Sequence, residues 1–281
     1  MLLPLAFLFV RAAEVGPGLW PLVSRPRTLR VLVNSATLAV AVSLACAAIS
    51  LPLGWLLVRT DLPARRLWTA ALSIPLAIPS LIGGYTFVAA FGTGGIVYRF
   101  VSGALSPELA ARLPDIYGFG GAWLLLTLLS YPYVLLPVCA ALQSMDRSQE
   151  EAARSLGHSP AGVFWRVIVP GLRPALLSGG LLAALYALSD FAAVSMLQFD
   201  SFTRAIYVHY QASFNRNYAA VLSLLLVATT LVIVLLEARV RGSIRYDRTG
   251  SGTARRPPPV SLGAWRWPSL AACALLVLLA V

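Results

Sequence analysis

Long uncharged apolar blocks alternate along this chain with short arginine-bearing stretches. Arg30 and Arg59 bracket 28 uncharged residues, Arg66 and Arg99 bracket 32, Asp115 and Asp146 bracket 30, and Arg216 and Glu237 bracket 20. A helix needs about 20 predominantly apolar residues to cross the hydrocarbon core of a bilayer. The blocks therefore predict crossings at Leu38–Val58, Leu67–Phe91, Ala122–Leu142 and Tyr218–Leu236. A fifth lies within 173–200, which carries a single charge inside it, Asp190. Residues 1–10 and 267–281 are apolar but too short to cross. A half-crossing leaves backbone groups unsatisfied in lipid, so the expectation is a fragment cut after Val281 and open to extension before Met1, the alternative being a short hydrophobic anchor at one end.

Composition agrees with a membrane solvent. Hydrophobic residues make up 58% of the 281 residues, charged residues 12%, and mean hydropathy is +0.78. Soluble domains run at about 45–50% apolar and about 25% charged, and disordered chains are poorer still in apolar residues. The predicted fold class is all-α: a polytopic membrane helix bundle with about five full crossings and partial spans at both ends. Prolines and glycines recur inside the crossings at Pro52, Pro75, Pro79, Gly83, Gly84, Pro132 and Pro137. They read equally as ordinary close packing and as kinks around a pathway that must open.

Charge sets the orientation. Net charge is +11, and every one of the 22 basic residues is arginine. Without lysine the chain can build neither a Walker A phosphate loop nor a Schiff base. The arginines sit between apolar runs rather than along a polar face, which excludes nucleic acid as partner. Loops 59–66, 144–174 and 239–266 carry 14 arginines, and loops 11–30, 92–118 and 199–217 carry 8. The richer set is assigned to the cytoplasm, although four arginines in 11–30 argue mildly the other way. Cys46, Cys139 and Cys273 each lie in an apolar run without a CxxC pair or Cys/His cluster, so neither disulfide nor metal site is expected.

The loop 144–174 is too polar to enter the core and too orderly for a passive connector. Ser148 and Glu151 have capping-box spacing. Gly157 stands where a helix would close in a left-handed conformation. Ser159-Pro160 supplies a cap and a first-turn proline for a second helix, and Pro170 and Pro174 are expected to end it. The result is helix, glycine corner, helix. Ala152, Ala153 and Leu156 form one small apolar face and Val163, Phe164 and Val167 another, ringed by Glu150, Glu151, Arg154 and Arg166. Such a projection suits either a groove in another protein or the headgroup layer.

Glu151-Ala152-Ala153, then Gly157, then Val167-x-Val169-Pro170 resembles the EAA loop of binding-protein-dependent ABC importer permeases. Two valines stand where the family usually has isoleucine and leucine. Asn34-Ser35-Ala36-Thr37-Leu38, Leu51-Pro52-Leu53-Gly54-Trp55, Arg59-Thr60-Asp61-Leu62-Pro63, Ser189-Asp190-Phe191-Ala192-Ala193-Val194-Ser195 and Phe202-Thr203-Arg204-Ala205-Ile206-Tyr207 are similar to the ferric-iron-type subgroup. Ala192 replaces a frequent glycine. The likeness covers residues 31–248.

The resemblance implies a MetI-like permease fold and a division of the chain: 1–30 as a partial span and external loop, 31–248 as permease core, 249–266 as linker, and 267–281 as the start of a second permease half. It implies a non-enzymatic, multi-pass subunit of the bacterial inner membrane that binds no cofactor. Its partners would be a cytoplasmic ATPase dimer that uses ATP, a periplasmic substrate-binding protein, a second permease half and membrane lipid. Glu151, Ala152, Ala153, Gly157, Val167, Val169 and Pro170 would carry ATPase coupling. Ferric iron is the cargo implied, with thiamine, polyamine, phosphonate and molybdate permeases sharing the architecture. A secondary transporter gives no reason for the capped loop, and an enzyme would need convergent catalytic groups. Asp190 reads either as a pathway residue or as a group bonded to a neighbouring helix. His158 and His209 are too far apart in sequence to form a pair, and Tyr207, Tyr210 and Tyr218 suit an interfacial aromatic belt.

Overall fold

A computed structural model describes residues 3–14, 19–104, 108, 114–145, 148–211, 216–242 and 260–281. Among these, the structure is helical, apart from one isolated parallel bridge between Thr60 and Val260. The elements are α1 (Leu3–Ala13), α2 (Leu19–Val23), α3 (Pro26–Arg59), α4 (Arg65–Ala71), a 3-10 turn (Ile74–Ala77), α5 (Ser80–Phe91), α6 (Ile96–Ala104), α7 (Phe119–Ser130) and α8 (Pro132–Ser144). Then come α9 (Ser148–Ser155), α10 (Pro160–Val163), a π turn (Phe164–Ile168), α11 (Val169–Ser189), α12 (Ala192–Met196), α13 (Phe202–Gln211), α14 (Arg216–Gly242) and, after a 3-10 turn at Gly263–Trp265, α15 (Arg266–Ala280). Residues 249–259 of the expected linker lie outside the described residues.

Five helical stretches are long and apolar enough to cross a bilayer: Pro26–Arg59, Ser80–Ala104, Pro160–Ser189, Asn217–Val240 and Gly263–Ala280. A bent pair, α7 and α8, meeting at 40°, makes a sixth if it is one span. Leu44, Leu231 and Leu278 are more than half exposed, as expected where lipid is the solvent.

Four expected spans are redrawn, and the stretch 267–281, expected to be too short to cross, belongs to a helical run, Gly263–Ala280, that is long enough. The crossing placed at Leu67–Phe91 is broken between α4 and α5, because Pro75 and Pro79 withhold amides from the ladder. The apolar stretch long enough to cross is Ser80–Ala104, which takes in part of the expected 92–118 loop. The Ala122–Leu142 block bends at Tyr131, where Pro132 removes another amide. Pro170 and Pro174 do not end the second loop helix: helix continues from Pro160 through Ser189. A proline ring collides with the carbonyl four residues before it, which for Pro170 is Arg166. The π turn spans that position, with the Val169 amide reaching back to the Phe164 carbonyl, and lets the chain continue past Pro170. The Leu38–Val58 span begins earlier than expected, at Pro26.

The chain divides into two compact units, each assembled from three separated stretches. Unit 1 comprises Met1–Val42, Ile78–Leu129 and Ala184–Val234; unit 2 comprises Ser43–Ala77, Ser130–Ala183 and Leu235–Val281. In unit 1, Val31, Phe202, Ala205, Tyr218 and Leu222 form a buried cluster. Beside it the Thr28 and Tyr218 hydroxyls share a hydrogen bond of 2.8 Å. In unit 2, fully buried Tyr131 donates to the Leu72 carbonyl at 2.7 Å. That carbonyl sits at the end of α4, where the break leaves it outside a regular ladder. Ser50 in turn donates to the Tyr131 carbonyl at 3.0 Å. The first break is thus satisfied from a neighbouring helix, as an apolar surround requires, whereas at the second the Tyr131 carbonyl also accepts the Leu135 amide of its own helix at 3.0 Å.

Candidate functional site

In unit 2, α9 is polar, with Glu150 and Glu151 in its first turn and Arg154 in its last, charges suited to the helix dipole. Ser148 begins it, but the serine side chain lies outside the described residues. Gly157 closes it with φ +84°: the His158 amide bonds the Ala153 carbonyl at 3.2 Å and the Gly157 amide the Arg154 carbonyl at 2.9 Å. This is a Schellman closure, which uses a left-handed residue and favours glycine. Two residues on, Ser159 Oγ accepts the Gly162 amide at 3.2 Å, capping α10 with Pro160 at its first position.

Side chains around this corner divide by face. Ala153, Val163 and Ile168 are buried. Glu151, Ala152 and Gly157 are exposed, and Val167, Val169 and Pro170 are half-buried. Val163 therefore packs inward instead of joining an outward stripe. Leu156 and Trp165 are 80% and 65% exposed, on a loop too polar to enter lipid. Two large apolar side chains held out by a rigid, doubly capped corner make a surface fit for another protein.

Glu150 departs most from expectation. Instead of ringing the loop with the other surface charges, it is 8% exposed. Its Oε1 lies 2.7 Å from Nη2 of Arg59, the last residue of α3. Nothing in local spacing shows this pairing, because its partners lie in different loops. The only sequence hint is that both loops belong to the arginine-rich set.

Asp190 lies in unit 1, in the break between α11 and α12, and is 7% exposed. Its carboxylate accepts the Ala193 amide at 2.8 Å, with the Ser80 hydroxyl and Val194 amide as further partners. The Asp190 carbonyl accepts the Thr203 hydroxyl at 2.7 Å. Downstream, Asn34 donates to the Asp200 carbonyl at 3.1 Å, and the Phe202 amide donates to Ser35 Oγ at 2.9 Å. Asp190 is thereby tied into a hydrogen-bonded knot. Among the described residues there is no group of three or more His, Cys, Asp or Glu able to hold a metal ion.

Broken apolar helices long enough to cross a bilayer, joined by a capped polar loop, define a polytopic membrane protein. The family model for the binding-protein-dependent transport system inner membrane component matches residues 50–246, and the chain belongs to that family. It is 35% identical over 254 residues to the Fe(3+)-transport system permease protein FbpB 2 of Haemophilus influenzae, covering 90% of this chain and 46% of that protein. It is 28% identical to the molybdenum transport system permease protein ModB of Mycobacterium tuberculosis, covering 78% and 82%. It is 29% identical to the sulfate transport system permease protein CysW of Synechocystis, covering 66% and 68%. The chain thus spans just under half of the ferric relative. Among solved structures, a bacterial alginate ABC importer matches with TM-score 0.61 at 16% identity, over 86% of this chain and 89% of that one. That likeness speaks to the fold.

Proposed function

We propose that the chain is the transmembrane permease portion of an ATP-driven importer in the bacterial inner membrane. It would take cargo from a periplasmic binding protein and couple transport to a separate cytoplasmic ATPase dimer. The observation that carries this reading is the corner at Gly157, which holds Leu156 and Trp165 outward on an arginine-flanked loop. Within the family, that loop is the segment an ATPase grips. Glu151, Ala152, Ala153, Gly157, Val167, Val169 and Pro170 form the seat, and ATPase closure moves it as a rigid lever, an interface-driven change. Without lysine the chain cannot build a Walker A phosphate loop, so ATP hydrolysis is assigned to the separate ATPase.

Ferric iron is the proposed cargo, resting on the 35% identity to the ferric permease. Molybdate and sulfate are the rivals because permeases for both are also similar. The 267–281 stretch begins a second permease half, a reading supported by the chain's covering 46% of the ferric relative. The test is co-purification of the full-length polypeptide with ABC ATPase subunits of the same organism, followed by uptake of radiolabelled ferric iron, molybdate and sulfate. Retention of the ATPase, its loss on altering Glu151 and Gly157 together, and accumulation of iron alone are the expected results. An ATPase that never binds sinks the reading, and accumulation of an oxyanion replaces the cargo.

A further inference from the structure

The Arg59–Glu150 pair joins two helix ends whose polarity suits it. Arg59 closes the last turn of α3 and Glu150 lies in the first turn of α9, so each charge faces the favourable pole of its own helix. Their side chains are only 5% and 10% exposed. The backbone around Arg59 is pinned as well: its carbonyl accepts the Val260 amide at 2.9 Å, and the Asp61 amide donates to the Val260 carbonyl at 3.2 Å. Asp61 Oδ1 then accepts the Leu262 amide at 2.9 Å. A strap just before α15 thus holds the α3 terminus in place.

Apolar contacts tolerate sliding. A buried ion pair does not, because separating its charges leaves each uncompensated away from water. Such pairs contribute little net stability but can fix one arrangement against others. We propose that Arg59 is a positioning residue whose ion pair with Glu150 makes α9 and the end of α3 move together, so that a push on the 144–174 loop is transmitted instead of absorbed there. This rests on the coupling role proposed above for that loop.

The experiment uses the full-length permease with its ATPase and binding protein in liposomes. Its readout is radiolabelled ferric iron carried per ATP hydrolysed, with molybdate or sulfate as the probe if the unaltered transporter accumulates that ion instead. In Arg59→Met combined with Glu150→Leu, an apolar pair replaces the charges. The ATPase should stay bound and hydrolyse ATP, while ions carried per ATP fall about tenfold, within the usual range of coupling between sites. Arg59→Lys, which keeps the charge, should recover most of the ratio, as a merely space-filling role would not. If the apolar pair does not reach the membrane, isosteric Glu150→Gln gives the same reading. An unchanged ratio in the apolar pair or in Glu150→Gln overturns the proposal, as does a Lys variant as uncoupled as the apolar pair. An unaltered permease that retains no ATPase instead overturns the parent reading, and this inference with it.

Discussion

The helical run Pro160–Ser189 ends at each side in a break, and the two breaks are built oppositely. The Gly157 corner closes on itself: its bonds run between Ala153, Arg154, Gly157, His158, Ser159 and Gly162, and its tip side chains point out. The break at 190–203 is closed by other elements, through Ser80, Asn34 and Ser35, and Asp190 and Phe202 are buried in it. A self-closed, exposed corner can be altered with little loss of fold, so damage there should show as lost transport. A break tied from outside should show damage first as lost folded protein.

The largest effect separating the two is expected from Gly157→Val. Nothing lies within 4 Å of the position an added Cβ would take, so the penalty is conformational, about 1–2 kcal/mol for a left-handed L-residue. Relaxing that strain means reopening the Schellman turn and turning Leu156 away. Uptake should fall at least to about a tenth, a coupling loss of ordinary size, with membrane abundance measured by immunoblot close to normal. Normal uptake by this variant would discard the rigid-lever picture.

Asp190→Leu should do the reverse. It deletes an acceptor for the Ala193 amide inside a buried knot, and a buried donor left unsatisfied costs about 1–3 kcal/mol. Abundance of detergent-stable protein should fall, and uptake with it in proportion. Asp190→Asn keeps an acceptor oxygen and should leave both near normal. If Asn instead lowers uptake at unchanged abundance, the carboxylate has a pathway role and the contrast between the breaks fails.

A smaller effect is expected from Ser159→Ala, which removes the cap on α10 at an exposed site, worth about 1 kcal/mol. Pro160 still presets the first turn, so abundance should hold and the thermal midpoint should fall slightly.

How much of this was readable in the sequence follows from the range of the forces involved. The corner was legible because glycine, serine and proline act on their own backbone within a few residues. The number of crossings was nearly legible, because lipid imposes a length on every apolar run. Span edges were not: Pro75, Pro79 and Pro132 act locally, but whether a proline ends a helix depends on what satisfies the freed carbonyl. Beside the Pro75 break, Tyr131 satisfies the Leu72 carbonyl, whose i+4 amide bonds Ser73 instead, from a distant stretch of chain. At Pro170 a π turn does the same work within the helix, and the sequence gives it no marker. Glu150 illustrates the limit best. Its neighbour Glu151 has the same charge and an almost identical local context, yet one is buried against Arg59 and the other is exposed. Only the three-dimensional placement of Arg59 distinguishes them.

The smallest effect lies at His209, on α13 in unit 1. Partial burial lowers its pKa below the ordinary imidazole value, Arg27 lowers it further, and Asp200 partly opposes them. The ring also stands edge-on to Tyr218 with centroids 4.6 Å apart. A lowered pKa means that the folded protein favours neutral imidazole more than the unfolded chain does. The resulting stability is present above the unfolded value of about 6.5 and is lost as pH falls through the lower folded value. His209 is half-buried and its shift is opposed in part by Asp200, so the change should be slight. Thermal midpoints from pH 7.5 downward should drop more steeply below about pH 6.5 for the unaltered protein than for His209→Gln. Parallel curves would mean that the imidazole contributes nothing to this unit's pH response.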